Sequence, residues 1–254
     1  MSQETRQKQI RELIARRGEC SIEELVEQLG VSGMTIRRDL QTLADQRKVI
    51  RTHGGAAMAE RVSFEFEFLN RVKEHQAAKA AIAVVAAAQV EDGESVMLDS
   101  GTTTLELAKH LRGKQSLTII TSCLPIAAQL QYDQQIEVLL LGGRLRASSP
   151  DLAGALTEAN LETLRADVAF LGADAIDRQG SVYQKSPELA RMMTKMAASA
   201  GRVFVVADGS KLGKMALWRF GRLQDWAALI TDAGADRAAL ASLKKAGVRV
   251  LKAE

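Results

Sequence analysis

Seven short apolar runs occupy the larger, later part of the chain, and they constrain its fold more than any other feature. These candidate strands lie at 95–99, 117–121, 136–141, 168–171, 203–207, 227–231 and 248–251. Helical patterns lie between most of them, as at 105–111, 189–198 and 237–245. Apolar strands that alternate with helices form largely parallel sheets covered by helices on both faces. The sequence therefore predicts an α/β domain with a largely parallel sheet over residues 76–254.

The first 57 residues have a different pattern, with short helices and a final hairpin. Ser21 and Glu24 have the spacing of a capping box, which predicts that a helix starts there. Ser32 is a candidate N-cap for a third helix that ends near Gln46. The segment 49–55 has β-branched residues followed by two glycines, which is typical of a hairpin. Residues 1–57 are therefore predicted to be a separate helical domain.

Between the two domains, residues 58–75 are irregular and charged and are interpreted as a linker. Phe64, Phe66 and Phe68 alternate there with glutamates. These rings are interpreted as part of a connector that covers apolar surface, because alternation over so few residues is weak evidence. A dimer or interdomain seam is the alternative.

Composition excludes several classes of protein. Two cysteines among 254 residues cannot form a disulfide framework, and three separated histidines make a zinc site unfavourable. The longest run without a polar residue, 80–88, is too short to span a membrane, and the N-terminus is polar. We expect a cytoplasmic protein with no metal, no cofactor and no membrane partner. The net charge of +3 is too small to indicate polyanion binding by itself.

The third helix and the hairpin form a candidate DNA-reading unit, a helix-turn-helix followed by a wing. Arginine can donate two parallel hydrogen bonds to guanine, and hydroxyls near a helix N-terminus can donate to phosphate. A solvated helix surface and an exposed wing without a partner are the alternatives. The predicted DNA-binding residues are Ser32, Met34, Thr35, Arg37, Arg38, Gln41, Arg51 and His53.

Charge is distributed unevenly over this first domain. Between residues 33 and 55 there are five lysines or arginines against two aspartates. Over the first 60 residues there are ten basic and nine acidic residues. Positive charge is therefore concentrated on the third helix and the wing, which is typical of a nucleic-acid face.

A candidate phosphate site follows the first predicted strand of the larger domain. Its residues are Asp99, Ser100, Gly101, Thr102, Thr103 and Thr104. Glycine allows a ligand to approach the backbone closely, and the amides and hydroxyls at a helix start donate to an anion. An ordinary capped helix start is the alternative.

Other polar loops are predicted at the same edge of the sheet, because the carboxyl ends of parallel strands meet there. Asp99, Asp174 and Asp208 could accept hydroxyl protons from a polyhydroxyl ligand, and Arg144 and Lys211 could pair with its phosphate. Thr121 and Gly143 complete the loop residues of this site, whereas Asp177 and Arg146 are interpreted as turn residues.

The segments 31–40 (Val-Ser-Gly-Met-Thr-Ile-Arg-Arg-Asp-Leu) and 51–56 (Arg-Thr-His-Gly-Gly-Ala) resemble the signature of DeoR-type bacterial transcriptional regulators. The resemblance continues over almost the whole chain. It implies a winged helix-turn-helix, usually in a repressor of a sugar or polyol operon. Within this motif, we expect Asp39 to orient a neighbouring guanidinium instead of contacting DNA.

The larger half is similar to the DeoR-type sensor domain, whose fold is similar to ribose phosphate isomerase. By this resemblance, Asp99–Thr104 corresponds to a phosphate loop and 172–177 to the acidic segment of the isomerase. Residues 185–188 lack the glycine triplet and the spacing that the isomerase has after its lysine, so Glu188 is interpreted as a sensor residue. Ser122 stands where many relatives have Asn.

Three functions follow as hypotheses. The first is a homo-oligomeric repressor, a dimer or a tetramer, that binds double-stranded operator DNA under the control of a phosphorylated sugar. The second is a sugar phosphate isomerase, which the missing glycines disfavour. The third is a DNA-binding protein whose larger domain only dimerises. We predict the first and expect no enzymatic activity.

Overall fold

The computed structural model describes residues 2–46, 48–58, 68, 70–146 and 149–254 and divides into two compact units. The smaller unit contains the described residues up to Asn70, together with Ser149. The larger unit contains Arg71–Arg146 and Pro150–Glu254. This division lies within the segment predicted as a linker, and the limits of the domains stay a prediction. Phe64 and Phe66 lie outside the described residues, and Phe68 is buried.

The smaller unit has the predicted helices and hairpin. Ser21 forms a capping box with Glu24 at the start of the second helix, and Ser32 caps the third, as expected. Gly30 ends the second helix with a φ of +63°, a conformation that favours glycine. Its elements are α1 (Gln3–Arg17), β1 (Glu19–Ser21), α2 (Ile22–Leu29), α3 (Gly33–Asp45), β2 (Val49–Arg51) and β3 (Gly55–Met58).

One strand of the smaller unit escaped prediction. The antiparallel order β1-β3-β2 places β3 of the wing between β2 and the short β1 that follows α1. At Gly55 a Cβ would lie 2.0 Å from the backbone oxygen of Cys20, so only glycine allows this pairing. The core of the unit includes the fully buried side chains of Ile10, Ile36 and Leu40.

All seven predicted strands of the larger unit are confirmed. They form one seven-stranded parallel sheet in the order β15-β14-β12-β9-β4-β5-β6. These strands are β4 (Ser95–Leu98), β5 (Leu117–Thr121), β6 (Ile136–Leu140), β9 (Ala166–Leu171), β12 (Ala200–Val206), β14 (Ala228–Asp232) and β15 (Val250–Ala253).

Helices pack on the sheet because side chains alternate between its two faces. On β4, Val96 and Leu98 belong to one buried cluster and Met97 to the other. The stacked rings of Phe170 and Phe204 lie in the first of these clusters. The helices are α4 (Gln76–Ala87), α5 (Thr102–His110), α6 (Leu124–Leu130), α7 (Ala155–Thr163), α8 (Pro187–Ala198) and α9 (Arg237–Lys245).

The remaining strands are antiparallel and were not predicted. One group pairs in the order β10-β11-β13, and a two-stranded ribbon pairs β7 with β8. Val182 of β11 and Phe220 of β13 contribute to the core on one face of the main sheet. These strands are β7 (Arg144–Leu145), β8 (Leu152–Ala153), β10 (Ala175–Ile176), β11 (Ser181–Gln184) and β13 (Trp218–Arg222).

The predicted fold class is confirmed: an N-terminal winged helix-turn-helix is followed by an α/β unit built on a parallel sheet. Among the described residues, no helix is long and apolar enough to cross a membrane.

Candidate functional site

The exposed side of α3 carries the predicted DNA-binding residues. Ile36, Leu40 and Leu43 are buried in the core, which turns the opposite side of the helix to solvent. Exposed there are Ser32, Met34, Arg37, Arg38 and Gln41, and Thr35 is half-buried. The Ser32 hydroxyl accepts a hydrogen bond from the Thr35 amide at 3.3 Å, so the hydroxyls that were expected to donate to phosphate lie together at the helix start.

A side-chain hydrogen bond joins the wing to α3. Nη1 of Arg51 donates to Oε1 of Gln41 at 3.2 Å. The amide of Gln41 donates in turn to Asp45 at 2.9 Å. His53 is exposed at the turn of the wing. Gln41 and Arg51 therefore hold each other in position beside the helix.

Arg37 and Arg38 keep their donors available. In the part of the chain that the structure describes, neither guanidinium has a carboxylate within 4.0 Å, and Asp39 is buried against α1. Asp39 accepts from Nε of Arg6 at 2.5 Å and from the side-chain amide of Gln7 at 3.2 Å. Asp39 therefore orients a guanidinium, as expected, and that guanidinium belongs to α1.

The candidate phosphate loop lies where the strand order of the main sheet reverses. From β4 the chain proceeds outward to β5 and β6, and from β9 it proceeds the other way to β12, β14 and β15. Ligands of open α/β sheets bind at such a switch point. Here Asp99, after β4, accepts a hydrogen bond from the Gly172 amide, after β9, at 2.6 Å.

Asp99 is fully engaged by the protein itself. Its Oδ1 accepts from the Gly101 amide at 2.9 Å and from the Thr104 hydroxyl at 2.6 Å. Burial raises the pKa of Asp99 and outweighs these hydrogen bonds, which lower it. Both oxygens of Asp99 accept from internal donors, so Asp99 shapes the loop. Its predicted hydrogen bond from a ligand hydroxyl stays a prediction.

The start of α5 offers donors to an anion. Gly101 is its N-cap, and no side chain caps the helix, so its first amides are not used within it. Thr102 is half-buried, and Thr103 is 7% exposed. Neither of their hydroxyls donates to another described residue, whereas the Thr104 hydroxyl is held by Asp99. Amides and hydroxyls of 102–103 are therefore the donors that remain.

The other predicted loop residues form separate contacts around this edge. Arg144 donates to Glu188 at 3.3 Å, and Asp174 accepts from the Lys185 amide at 2.9 Å. Asp208 is buried and accepts from the Ser210 amide at 3.0 Å. Arg144 is exposed and Lys211 is half-buried, and their pairing with a phosphate stays a prediction.

Thr121 and Gly143 have structural constraints of their own. The Thr121 hydroxyl is fully buried and accepts from the Cys123 amide at 3.1 Å. Gly143 has a φ of +142°, and a Cβ there would lie 2.2 Å from Oγ1 of Thr157. Among the described residues, no cluster of potential ligands could hold a metal ion.

Comparison with known families covers both units. The DeoR-like helix-turn-helix domain matches residues 6–62, and the DeoR C terminal sensor domain matches residues 74–233. The chain belongs to the DeoR family. It is a DNA-binding transcriptional regulator with a sensor domain.

DeoR-family relatives match this chain over nearly its full length. The HTH-type transcriptional regulator GlpR of Haloferax volcanii is 33% identical over 97% of this chain and 96% of its own. The glycerol-3-phosphate regulon repressor of Escherichia coli is 34% identical over 92% of each chain. The transcriptional repressor AccR of Agrobacterium fabrum is 34% identical over 92% of this chain and 91% of its own.

Solved structures similar to this DeoR-family chain include ribose 5-phosphate isomerase A of Methanocaldococcus jannaschii. It has a TM-score of 0.43 and 17% identity, over 56% of this chain and 57% of its own. Translation initiation factor eIF2B beta of Chaetomium thermophilum has a TM-score of 0.42 and 15% identity, over 59% of this chain and 43% of its own.

One cation of this DeoR-family sensor unit was missed by the sequence analysis. Lys79 of α4 is 6% exposed, and its ammonium donates to the backbone oxygen of Arg71. Burial lowers the pKa of Lys79, the charge of Asp208 raises it, and the charge of Lys211 lowers it. No described carboxylate lies within 4.0 Å of Lys79, so a buried cation without a close counter-ion lies near two predicted effector residues. A single lysine in an alanine-rich helix gave no signal of this.

A polar network beside the phosphate loop was also missed. Asp151 is fully buried, accepts from the Ser100 hydroxyl at 2.9 Å and pairs with Nε of Arg146 at 3.0 Å. Arg146, interpreted above as a turn residue, thus holds the buried carboxylate of Asp151. Ser122 is fully buried, and its hydroxyl has no hydrogen-bond partner among the described residues. The partners Ser100 and Asp151 are 51 positions apart, so no local pattern could reveal them.

Proposed function

We propose that this chain is a repressor whose binding to operator DNA is controlled by a phosphorylated sugar or polyol, bound at the carboxyl edge of the seven-stranded sheet. The observation that carries the proposal is the start of α5 at the switch point of the sheet, where the amides are uncapped and two threonine hydroxyls donate to no other described residue. This arrangement suits an anion, because helix amides and the helix dipole both favour negative charge.

Cations near this edge support a phosphorylated ligand. Lys79 lacks a close counter-ion in the described structure, and a buried cation of this kind costs free energy until an anion neutralises it. Lys211 lies close enough to affect the pKa of Lys79, and Arg144 is largely exposed. The name of one relative, the glycerol-3-phosphate regulon repressor, supports the same class of ligand.

The DNA half of the proposal depends on the exposed side of α3. Arg37 and Arg38 are the two guanidinium groups there without a close carboxylate among the described residues. A bidentate arginine contact to guanine contributes about 1–3 kcal/mol of discrimination. Helix-turn-helix regulators present two such helices to half-sites about one helical turn apart, so the proposal includes a homo-oligomer.

The test is fluorescence anisotropy with labelled DNA from directly upstream of the chain's own transcription unit. The salt concentration is kept fixed, because DNA affinity depends steeply on ionic strength. A panel of hexose, pentose and polyol phosphates is then added. Specific binding that one compound reverses supports the repressor, and specific binding that no compound changes would contradict the effector site.

Arg37→Ala tests the DNA-reading residues separately. We expect specific operator binding to weaken by about tenfold or more, since one good base contact is lost, while phosphate-ester binding measured by calorimetry stays unchanged. Arg237→Ala, an exposed arginine on α9, is the matched control and should leave operator binding unchanged. Equal loss of DNA and ester binding in Arg37→Ala would contradict the assignment of two separate sites.

Thr103→Asp tests the anion site, because a carboxylate beside the α5 amides repels a phosphate. We expect the variant to bind operator DNA as the wild type does and to ignore the compound that acts on the wild type. Thr163→Asp adds the same charge at an exposed position of α7 and should still respond. A normal response of Thr103→Asp would show that the phosphate binds elsewhere.

A further inference from the structure

A buried carboxylate lies in the middle of α3, the helix whose exposed side carries Arg37 and Arg38. Asp39 is only 1% exposed. Both of its oxygens accept hydrogen bonds from α1, Oδ2 from Nε of Arg6 at 2.5 Å and Oδ1 from Gln7 at 3.2 Å. One carboxylate thus fixes two side chains of α1 against the flank of α3.

Arg6 uses only part of its guanidinium in this contact. The bond to Asp39 engages Nε, and the side chain keeps 13% of its surface exposed. The two terminal nitrogens of Arg6 form no hydrogen bond to another described residue, and neither is fully buried. The terminal nitrogens therefore reach solvent, with four N–H donors available.

The position of Arg6 matters because of the size of a helix in DNA. An α-helix with its side chains is about 10–12 Å across, and the major groove is about 12 Å wide. A helix in the groove therefore has a sugar-phosphate backbone along each flank. With α3 in the major groove, as the proposed function has it, a guanidinium held beside this helix can reach that backbone.

We propose that Arg6 contacts the DNA phosphate backbone, and that Asp39 is the positioning residue that holds its guanidinium for this contact. The pairing also neutralises Asp39, whose charge would otherwise repel the phosphates on either side of the helix. Orienting a long side chain before binding lowers the entropy that is lost when the contact forms.

The dependence of operator affinity on salt tests this proposal. Each phosphate contact contributes about 0.9 to the slope of log affinity against log salt concentration. We expect the slope of Arg6→Ala to be less steep than that of the wild type, by about 0.9 for each copy of the chain on the DNA. Between 50 and 200 mM salt, the wild type should then lose about threefold more affinity than Arg6→Ala does, for each copy bound.

Arg17→Ala is the matched control, because it removes the same charge from the other end of α1. Arg17 is 46% exposed and lies 4.0 Å from Glu24. We expect the slope of this variant to equal that of the wild type.

A second pair of variants keeps the test valid if Arg6→Ala fails to fold, since it leaves a buried carboxylate unpaired. Asp39→Ala and the double variant Arg6→Ala/Asp39→Ala both lack that carboxylate. The slope of the double variant should be less steep than that of the wild type by about 0.9 for each copy bound. The slope of Asp39→Ala should lie between the two, because Arg6 then keeps its charge but loses the carboxylate that positions it. Equal slopes in the wild type and the double variant, or equal slopes in wild type, Arg6→Ala and Arg17→Ala, would show that Arg6 serves only to hold α1 on α3.

Discussion

Replacing Asp99 by Asn should destabilise the sensor unit measurably, although the two side chains have nearly the same shape. Oδ1 of Asp99 holds two donors, from Gly101 and Thr104, and Oδ2 holds the Gly172 amide at 2.6 Å. An Asn can keep its oxygen toward the first two, but its NH₂ group then faces the Gly172 N–H. One hydrogen bond to a charged acceptor is lost, and two donors oppose each other.

The size of the effect follows from these contacts. A hydrogen bond to a charged group contributes about 1.5–3 kcal/mol, and relief from burying the charge offsets part of this loss. We expect the free energy of unfolding to fall by about 2 kcal/mol in Asp99→Asn. It should fall by about 4 kcal/mol in Asp99→Ala, which leaves the Gly101 and Gly172 amides without an acceptor.

Urea denaturation of the full chain, followed by tryptophan fluorescence, measures this loss. Both tryptophans of the chain, Trp218 and Trp226, lie in the larger unit, so fluorescence reports on that unit. With a denaturant slope of about 2 kcal/mol/M, the midpoint of Asp99→Asn shifts by about 1 M. Asp92→Asn, at an exposed aspartate that accepts one backbone hydrogen bond, is the control and should shift little.

The stability difference between the wild type and Asp99→Asn should also change with pH in a defined direction. Burial raises the pKa of Asp99, so the folded state binds its proton more tightly than the unfolded state does. Ionisation of Asp99 therefore costs the wild type stability as the pH rises from about 3.9 through the folded pKa. The Asn variant lacks this cost, so the difference in the free energy of unfolding between it and the wild type should become smaller over that pH range. An Asn variant as stable as the wild type, or an Ala variant no worse than Asn, would refute the reasoning.

Three further predictions concern the larger unit. Burial raises the pKa of Asp177, but hydrogen bonds, first that of the Tyr183 hydroxyl at 2.8 Å, lower it overall. Tyr183→Phe should therefore lower the free energy of unfolding by about 1 kcal/mol in urea melts at pH 7. The loss should become smaller as the pH falls below about 3.9 through the folded pKa. Gly143→Ala should destabilise by about 2 kcal/mol or more in the same melts, since its Cβ meets a threonine hydroxyl at a φ of +142°. Gly142→Ala should be tolerated, because its Cβ meets nothing closer than the flexible Leu156 side chain at 3.2 Å. Burial raises the pKa of the Cys123 thiol to about 12, so a thiol reagent followed by mass spectrometry should modify it only after unfolding.

The main sheet could be predicted because burial on both faces leaves a simple pattern. Each strand of a parallel sheet covered by helices is apolar along its whole length. The antiparallel strands lack that pattern, since Ser181–Gln184 begins and ends with polar residues and Trp218–Arg222 includes two arginines. Their positions depend on pairing with each other, which local periodicity does not encode.

The candidate site could be predicted only where its residues are close in sequence. The loop 99–104 and the exposed side of α3 each lie within one short segment. Lys79 and Asp151 escaped prediction because the groups around them come from distant segments, such as Asp208 for Lys79. The role of Asp99 also depended on a distant group, the amide of Gly172, which lies 73 positions away.

The hydrogen bond from Gly172 to Asp99 crosses the crevice between the two halves of the sheet, and this has a consequence for how such a sensor can diversify. The bond fixes the floor of the crevice with atoms of the protein alone. Residues on the rim, such as Arg144 and Lys211, take no part in this hydrogen bond or in the others that Asp99 accepts in the described structure. Under the proposed function, substitutions on the rim can therefore alter which ester is bound without unfolding the floor. A sensor built in this way can acquire a new ligand by a few surface changes while its scaffold stays intact.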